Sequence, residues 1–300
     1  MKISLLTDAP KHNLALMKLS AWHRANGDDV MLNAPLFPAD YTYASILFEK
    51  NKNLFIADEY GGAAFPDSQL LPEVEQMKPD YSLYNVNYSL GYTFRPCFND
   101  CYFCKVPKMN HPDSKHHSIH EFYNSDFETI CLLNNNTFQD PAWRKTFEEI
   151  WDLNLTVKDE NGYDIRLLDE EKTQALKKTK FTGKIHFAWD RMQDEELILN
   201  GLRLLKQYKI YASFYVLTGY NTSLEQDIYR CQKITEQGHR PFIMPYKRTK
   251  LNMRFKDFII SCGWSRYETI QEAWDDLLPT SSRMKSKKHE DNYPPCNCLL

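Results

Sequence analysis

Residues 91–108 read GYTFRPCFNDCYFCKVPK, and the spacing of Cys97, Cys101 and Cys104 within them decides how the rest of the chain is to be read. The pattern C-x3-C-x2-C puts three thiols on one short loop, where they can converge on a metal centre without help from distant segments. Thiolates are soft ligands that select iron–sulfur clusters, zinc or copper(I). The number three is informative. A [4Fe-4S] cluster that only carries electrons is held by four cysteines, whereas three leave one iron open to an outside ligand. The alternative is structural zinc, completed by His111, His116 or His117 from the run HPDSKHHSIH at 111–120. Such sites draw their cysteines in C-x2–4-C pairs set apart by a longer loop, which this triad does not match.

Around the loop, the composition is that of a globular chain with a well-filled core: 300 residues, 42% hydrophobic, 26% charged, 14% aromatic and only 10 glycines. That length holds one large domain, or a domain with a smaller neighbour. A net charge of -3 gives no general attraction to nucleic acid or to an anionic membrane. No apolar run approaches the roughly 18–20 residues that span a bilayer. The N-terminal MKISLLTDAPKHN has neither the apolar length nor the small-residue site of a signal peptide. A cytoplasmic protein is expected, and in that compartment eight cysteines do not make a disulfide framework. Cys131, Cys231 and Cys262 are scattered, and Cys296 and Cys298 are too few to build a second centre by themselves.

Apolar periodicity predicts an α/β chain. KISLLT at 2–7 reads as a buried strand, 13–25 as a helix ended by Gly27, and 30–32 as a second strand, a small Rossmann-like β-α-β unit. Its connecting loop, DAPKHN, lacks a glycine fingerprint for a dinucleotide. A loop-rich stretch follows, with Gly61, Gly62, Pro66, Pro72 and Pro79, and the domain boundary is expected near residues 78–88. From there strands are expected at 88–95, 128–133, 154–158, 183–189, 209–218 and 239–244, with helices at 140–151, 169–179, 193–207 and 223–237. Such alternation implies a parallel sheet wound in one direction. Residues 255–278 look helical, and the polar run after Pro279 reads as a flexible tail. The expected domains are 1–85, 86–250, C-terminal helices over 251–280 and the tail over 281–300.

The cysteine segment closely resembles the CxxxCxΦC loop of the radical S-adenosylmethionine (SAM) superfamily, with Phe103 at the aromatic position before the last cysteine. The resemblance extends over roughly residues 88–250. It implies a partial (β/α)6 TIM-type barrel, here preceded by the small β-α-β unit, with the active site at the C-terminal strand ends. It also implies that Cys97, Cys101 and Cys104 hold a [4Fe-4S] cluster whose open iron binds SAM. An external donor such as flavodoxin or ferredoxin would supply the electron that cleaves SAM, and the resulting 5'-deoxyadenosyl radical abstracts hydrogen from a substrate. Over the whole chain, LLTDAPKHNLALMKLSAWHRANGDDV, DEYGGAAF, LPEVEQMKPDYSLY, DIRLLDEE, KIHFAWD and VLTGYNTS are similar to a radical SAM subgroup often encoded by phages and prophages. The N-terminal unit resembles the cobalamin-binding half of some superfamily members but lacks their DxHxxG signature, so no cobalamin is expected.

If the barrel is present, its strand ends should carry the SAM contacts. After the second strand, Asn134, Asn135 and Asn136 stand where the superfamily binds the SAM amino group; an asparagine turn is the alternative. Arg166 could grip the SAM carboxylate with its two-pronged guanidinium, or make a surface ion pair. Asp190 is the candidate acceptor for the ribose hydroxyls, and His186 the core residue beside it. Gly219 would let adenine approach closely, and Met244 would present an adenine contact; simple strand termination is the other reading of both.

An enzyme acting on a small molecule or nucleotide is favoured over one acting on RNA or peptide. Residues 1–96 contain no cysteine, unlike RNA-modifying methylthiotransferases with a second cluster. The basic stretch Arg240, Lys247, Arg248, Lys250, Arg254 and Lys256 reads first as a solvated face and second as a phosphate contact, leaving nucleic acid open. The competing class is a non-catalytic zinc-binding interaction module.

Overall fold

The computed structural model describes residues 1–34, 36–109 and 113–277. His111, the tail and its Cys296 and Cys298 lie outside the described residues. Packing divides the chain into two units, Met1–Asn161 and a second beginning at Gly162.

The first unit is built outward from β1 (Lys2–Thr7), buried from Ile3 onward. The helix α1 (Leu14–Ala25) follows, with the Asn13 side chain accepting the Leu16 N–H, an N-cap that satisfies one orphan donor of the first turn. β2 (Asp29–Leu32) returns parallel to β1, with Ile3 opposite Val30. The expected β-α-β opening is therefore present. It continues through β3 (Tyr41–Ser45) and β4 (Glu59–Gly61) into a four-stranded parallel sheet of order β2-β1-β3-β4. The last two strands were hidden in the glycine- and proline-bearing stretch. Gly62, read there as a loop signal, has φ of +89°, and a Cβ on it would sit 2.5 Å from the Ile46 carbonyl oxygen. It is glycine because two backbones meet. The short α2 (Pro72–Glu75) adds Val74 to a core of Ile3, Leu5, Leu16, Leu19 and Val30.

The same unit contains a second parallel set, β5 (Ser89–Gly91), β6 (Thr129–Leu132) and β7 (Thr156–Asp159), with α3 (Trp143–Asp152) joining the last two. Leu90 and Cys131 share a core with Leu14 and Met17 of α1 and with Tyr84 and Tyr88. The strand expected over 88–95 ends at Gly91. Beyond it the Thr93 and Phe94 N–H groups turn to a side chain, Asn134, instead of a neighbouring strand.

The second unit runs α4 (Glu170–Lys178), the two-residue β8 (Lys180–Phe181), β9 (Ile185–Ala188), α5 (Glu195–Gln207), β10 (Ala212–Thr218), α6 (Leu224–Glu236), β11 (Arg240–Pro245), α7 (Lys250–Ser261) and α8 (Ile270–Leu277). β10 is the central strand, parallel to both β9 and β11, and buries alternate residues along its length. Phe214 stacks on Phe187 of β9 at 5.4 Å between ring centroids. The helical stretch expected over 255–278 is two helices. Cys262 takes a left-handed conformation at φ of 56° and breaks the run, which lets Trp274 of α8 fold back onto Phe255 and Phe258.

Candidate functional site

Gly91 delivers the chain from β5 into the cysteine loop, and the segment after β6 holds that loop down. Asn134 Oδ1 accepts from Thr93 N at 2.8 Å and from Phe94 N at 3.1 Å. Its Nδ2 donates to Thr93 Oγ1 at 2.8 Å and to Thr137 Oγ1 at 3.2 Å. Two acceptor and two donor positions exhaust an asparagine amide, and the residue is buried. The chain itself thus takes all four hydrogen-bonding positions of Asn134. Asn135 Nδ2 donates to the Arg95 carbonyl, while Asn136 is buried at the start of a 3-10 turn over Thr137–Gln139. Gln139, which sequence reasoning missed, accepts Phe98 N–H at 2.6 Å and donates to Asn99 Oδ1 at 3.2 Å.

Within the loop, Cys104 N–H donates to the Cys101 carbonyl at 2.8 Å, and Val106 N–H points to Cys104 Sγ at 3.4 Å. An N–H aimed at a sulfur favours its thiolate and tunes any metal it holds. Cys97, Cys101 and Cys104 are half-buried, as is Phe103, and none of the described cysteines is in a disulfide. Phe98 and Tyr102 stand out at 67% and 81% exposure. Arg95, two residues before Cys97, pairs with Glu75, which also takes Lys18 at 2.7 Å. Among the described residues, no three His, Cys, Asp or Glu side chains form a ready cage for an ion.

The histidines of the zinc alternative are engaged with carboxylates. His116 Nδ1 meets Asp140 Oδ2 at 2.7 Å, and His117 lies 3.0 Å from both Asp113 and Glu121. Burial pulls the His117 pKa down, but those two carboxylates outweigh it and hold the imidazole above its usual range.

In the second unit, Arg166 grips Asp164 with two bonds of 2.7 Å and reaches Asp194 at 3.2 Å. Asp194 also takes Arg191 at 2.8 and 3.0 Å. Arg166 is thus held in ion pairs with Asp164 and Asp194. Asp190, following β9, accepts Leu217 N–H at 3.3 Å. Burial pushes its carboxyl up to about 6, against the pull of Arg230, that N–H, Arg166 and Arg191. His186 stacks on Tyr215 at 5.3 Å. Gly219 has φ of +71°, and Asn252 Nδ2 lies 2.1 Å from where its Cβ would be. The close approach expected there is made by Asn252 rather than left open for adenine. Met244 is half-buried at the end of β11, opposite Leu217. Arg230 of α6 was also missed. It is fully buried and donates to the carbonyls of Trp189 and Leu217, and to Thr222 and Asp227. The Asp227-x-x-Arg230 spacing, one helix turn on a buried face, was the available signal.

The whole chain can now be set beside solved structures. Its fold is similar to one solved for a radical SAM enzyme. It superposes on the radical S-adenosylmethionine methyltransferase TsrM from Kitasatospora setae, solved with cobalamin and a [4Fe-4S] cluster bound, with a TM-score of 0.56 and 11% identity over 81% of this chain and 74% of that one. Streptococcus suis SuiB bound to S-adenosylmethionine aligns at a TM-score of 0.44 and 11% identity, over 61% of this chain and 49% of SuiB. No protein-family model and no curated protein matches the chain. At 11% identity the likeness to TsrM concerns the fold. What the chain binds has to be argued from its own residues.

The donor set fits a cluster with an open iron. Three thiols share one loop at the C-terminal end of a parallel strand, where α/β folds place their ligand sites. No disulfide consumes them, and an N–H already points at one sulfur. The fit rests on this chemistry and not on a preformed cage.

Proposed function

We propose that this chain is a radical SAM enzyme in which Cys97, Cys101 and Cys104 hold a [4Fe-4S] cluster. The observation that carries the reading is a disulfide-free C-x3-C-x2-C loop leaving the C-terminal end of β5 in a fold similar to that of TsrM. When bound, the cluster and SAM supply a reductive cleavage that generates the 5'-deoxyadenosyl radical. The chain's own part is to orient and to exclude water. Phe103 stands half-buried between the last two cysteines. The Val106 N–H stabilises negative charge on Cys104. With its Nδ2 on Arg95, Asn135 can offer Oδ1 to an ammonium, and the buried Asn136 beside it is the neighbouring candidate. Asp190 and Met244 remain the strand-end candidates of the second unit for ribose and adenine, whereas Arg166 would first have to leave Asp164.

The same proposal includes the partial (β/α)6 barrel, the likeness to the phage and prophage subgroup, a flavodoxin- or ferredoxin-type donor, and a small-molecule or nucleotide substrate. A cytoplasmic setting belongs with it. Among the described residues no helix is long and apolar enough to cross a membrane.

Anaerobic reconstitution with iron and sulfide should give a brown protein that releases 5'-deoxyadenosine from SAM under reduction. Changing any one of the three cysteines to Ala should abolish both properties. A chain that takes zinc, stays colourless and air-stable, and leaves SAM intact would make it the zinc-binding interaction module instead.

A further inference from the structure

We infer that Asn135 and Gln139, together with Asn134, are positioning residues that set the shape of the cysteine loop before any metal arrives. The inference rests on the radical SAM reading and extends it to residues other than the three cysteines.

The bonds bracket Cys97. On its N-terminal side Asn134 fixes the N–H groups of Thr93 and Phe94, and Asn135 fixes the Arg95 carbonyl. On its C-terminal side Gln139 fixes the Phe98 N–H and the Asn99 side chain. All three amides come from residues 134–139, the segment that follows β6 and lies beside the loop's root because β6 pairs with β5. The buried Thr146 hydroxyl of α3 meets Thr93 Oγ1 at 3.0 Å and ties the clamp to that helix. Primary amides suit this task. They donate and accept at once, so a single side chain can satisfy both kinds of backbone group, and they add no charge beside three thiolates. A loop left free would lose its conformational entropy when the cluster bound. Here folding has already ordered it, in the way that outer-shell hydrogen bonds orient metal ligands.

The test uses the full chain, reconstituted anaerobically with iron and sulfide and then challenged with a chelator. Gln139→Met keeps the side-chain length without either bond, and Asn135→Ala removes the bond to Arg95. Each should weaken iron retention by about 10–100-fold, the usual cost of losing an outer-shell partner. Each should also shift the reduction potential and the electron paramagnetic resonance signature of the reduced cluster, while the melting of the metal-free chain stays at the wild-type value. Wild-type retention and an unchanged spectrum in both variants would overturn the clamp and leave the cluster reading standing. A wild-type chain that binds no iron would overturn the cluster reading, and the clamp with it. If Gln139→Met melts early without metal, Asn135→Ala decides: weakened retention at wild-type melting supports the clamp, and wild-type retention overturns it.

Discussion

Arg230 joins the ends of two strands through one side chain. Its guanidinium donates to the carbonyl of Trp189, just past β9, and to that of Leu217 in β10 at 2.7 Å, and it pairs with Asp227 one turn back on its own helix. A buried pair is weak evidence of net stabilisation, but breaking it is costly because one charge is left uncompensated. Arg230→Met is therefore expected to lose about 3–5 kcal/mol by denaturant unfolding, and adding Asp227→Leu should recover part of that loss. Asp190 makes a prediction of the opposite character. Its carboxyl titrates near 6 in the folded chain against an ordinary 3.8, so the folded state holds a proton that the unfolded state has released. Below the lower value both states are protonated and the group contributes nothing. As pH rises through the window the unfolded state is increasingly favoured, and the penalty levels off above 6 at roughly 2–3 kcal/mol. Asp190→Asn should remove it, so the variant's stability relative to wild type should rise between pH 4 and pH 7. A constant difference across that range would contradict the buried environment assigned to Asp190.

Among the elements, α5 shows how packing overrides intrinsic preference. Glycine inside a helix costs up to about 1 kcal/mol against alanine, so Gly201→Ala would stabilise an isolated α5. In the fold, a Cβ at 201 would lie 2.3 Å from Ile165 Cγ1 and 2.8 Å from the Ile165 carbonyl oxygen, in the 3-10 turn that α5 packs against. The substitution should instead destabilise by about 1–3 kcal/mol, as overpacking does, and lower the melting temperature. Elements with long patterns were legible for the complementary reason. α4, α5 and α6 bury one face, and α4 and α6 begin at side-chain caps, Asp169 and Ser223. The strands β3 and β4 were not legible. Five and three residues carry too little period, and the glycine pair at 61–62 marks a close approach that only the partner backbone reveals.

At the scale of the molecule, loading the cluster should act as ligand binding acts on any fold that receives it. The reconstituted wild type should melt higher than the metal-free chain, and a variant with Cys97, Cys101 and Cys104 all changed to Ala should show no such rise. An equal rise in that variant would assign the iron to other residues. The cysteine triad and the parallel α/β order were legible in the sequence alone, because ligand spacing and apolar periodicity are local properties that need no partner to be read. Which polar groups are already spent was decided only by tertiary structure. Asn134, Gly219 and Arg166 each looked open to a ligand along the chain, and each is met in space by the loop backbone, by Asn252 or by Asp164. Gln139 carried no signal and Arg230 only its spacing from Asp227, yet the first holds the cysteine loop and the second two strand ends. A hydrogen bond belongs to two residues at once, and the second is named only when the fold brings it within 3 Å or so.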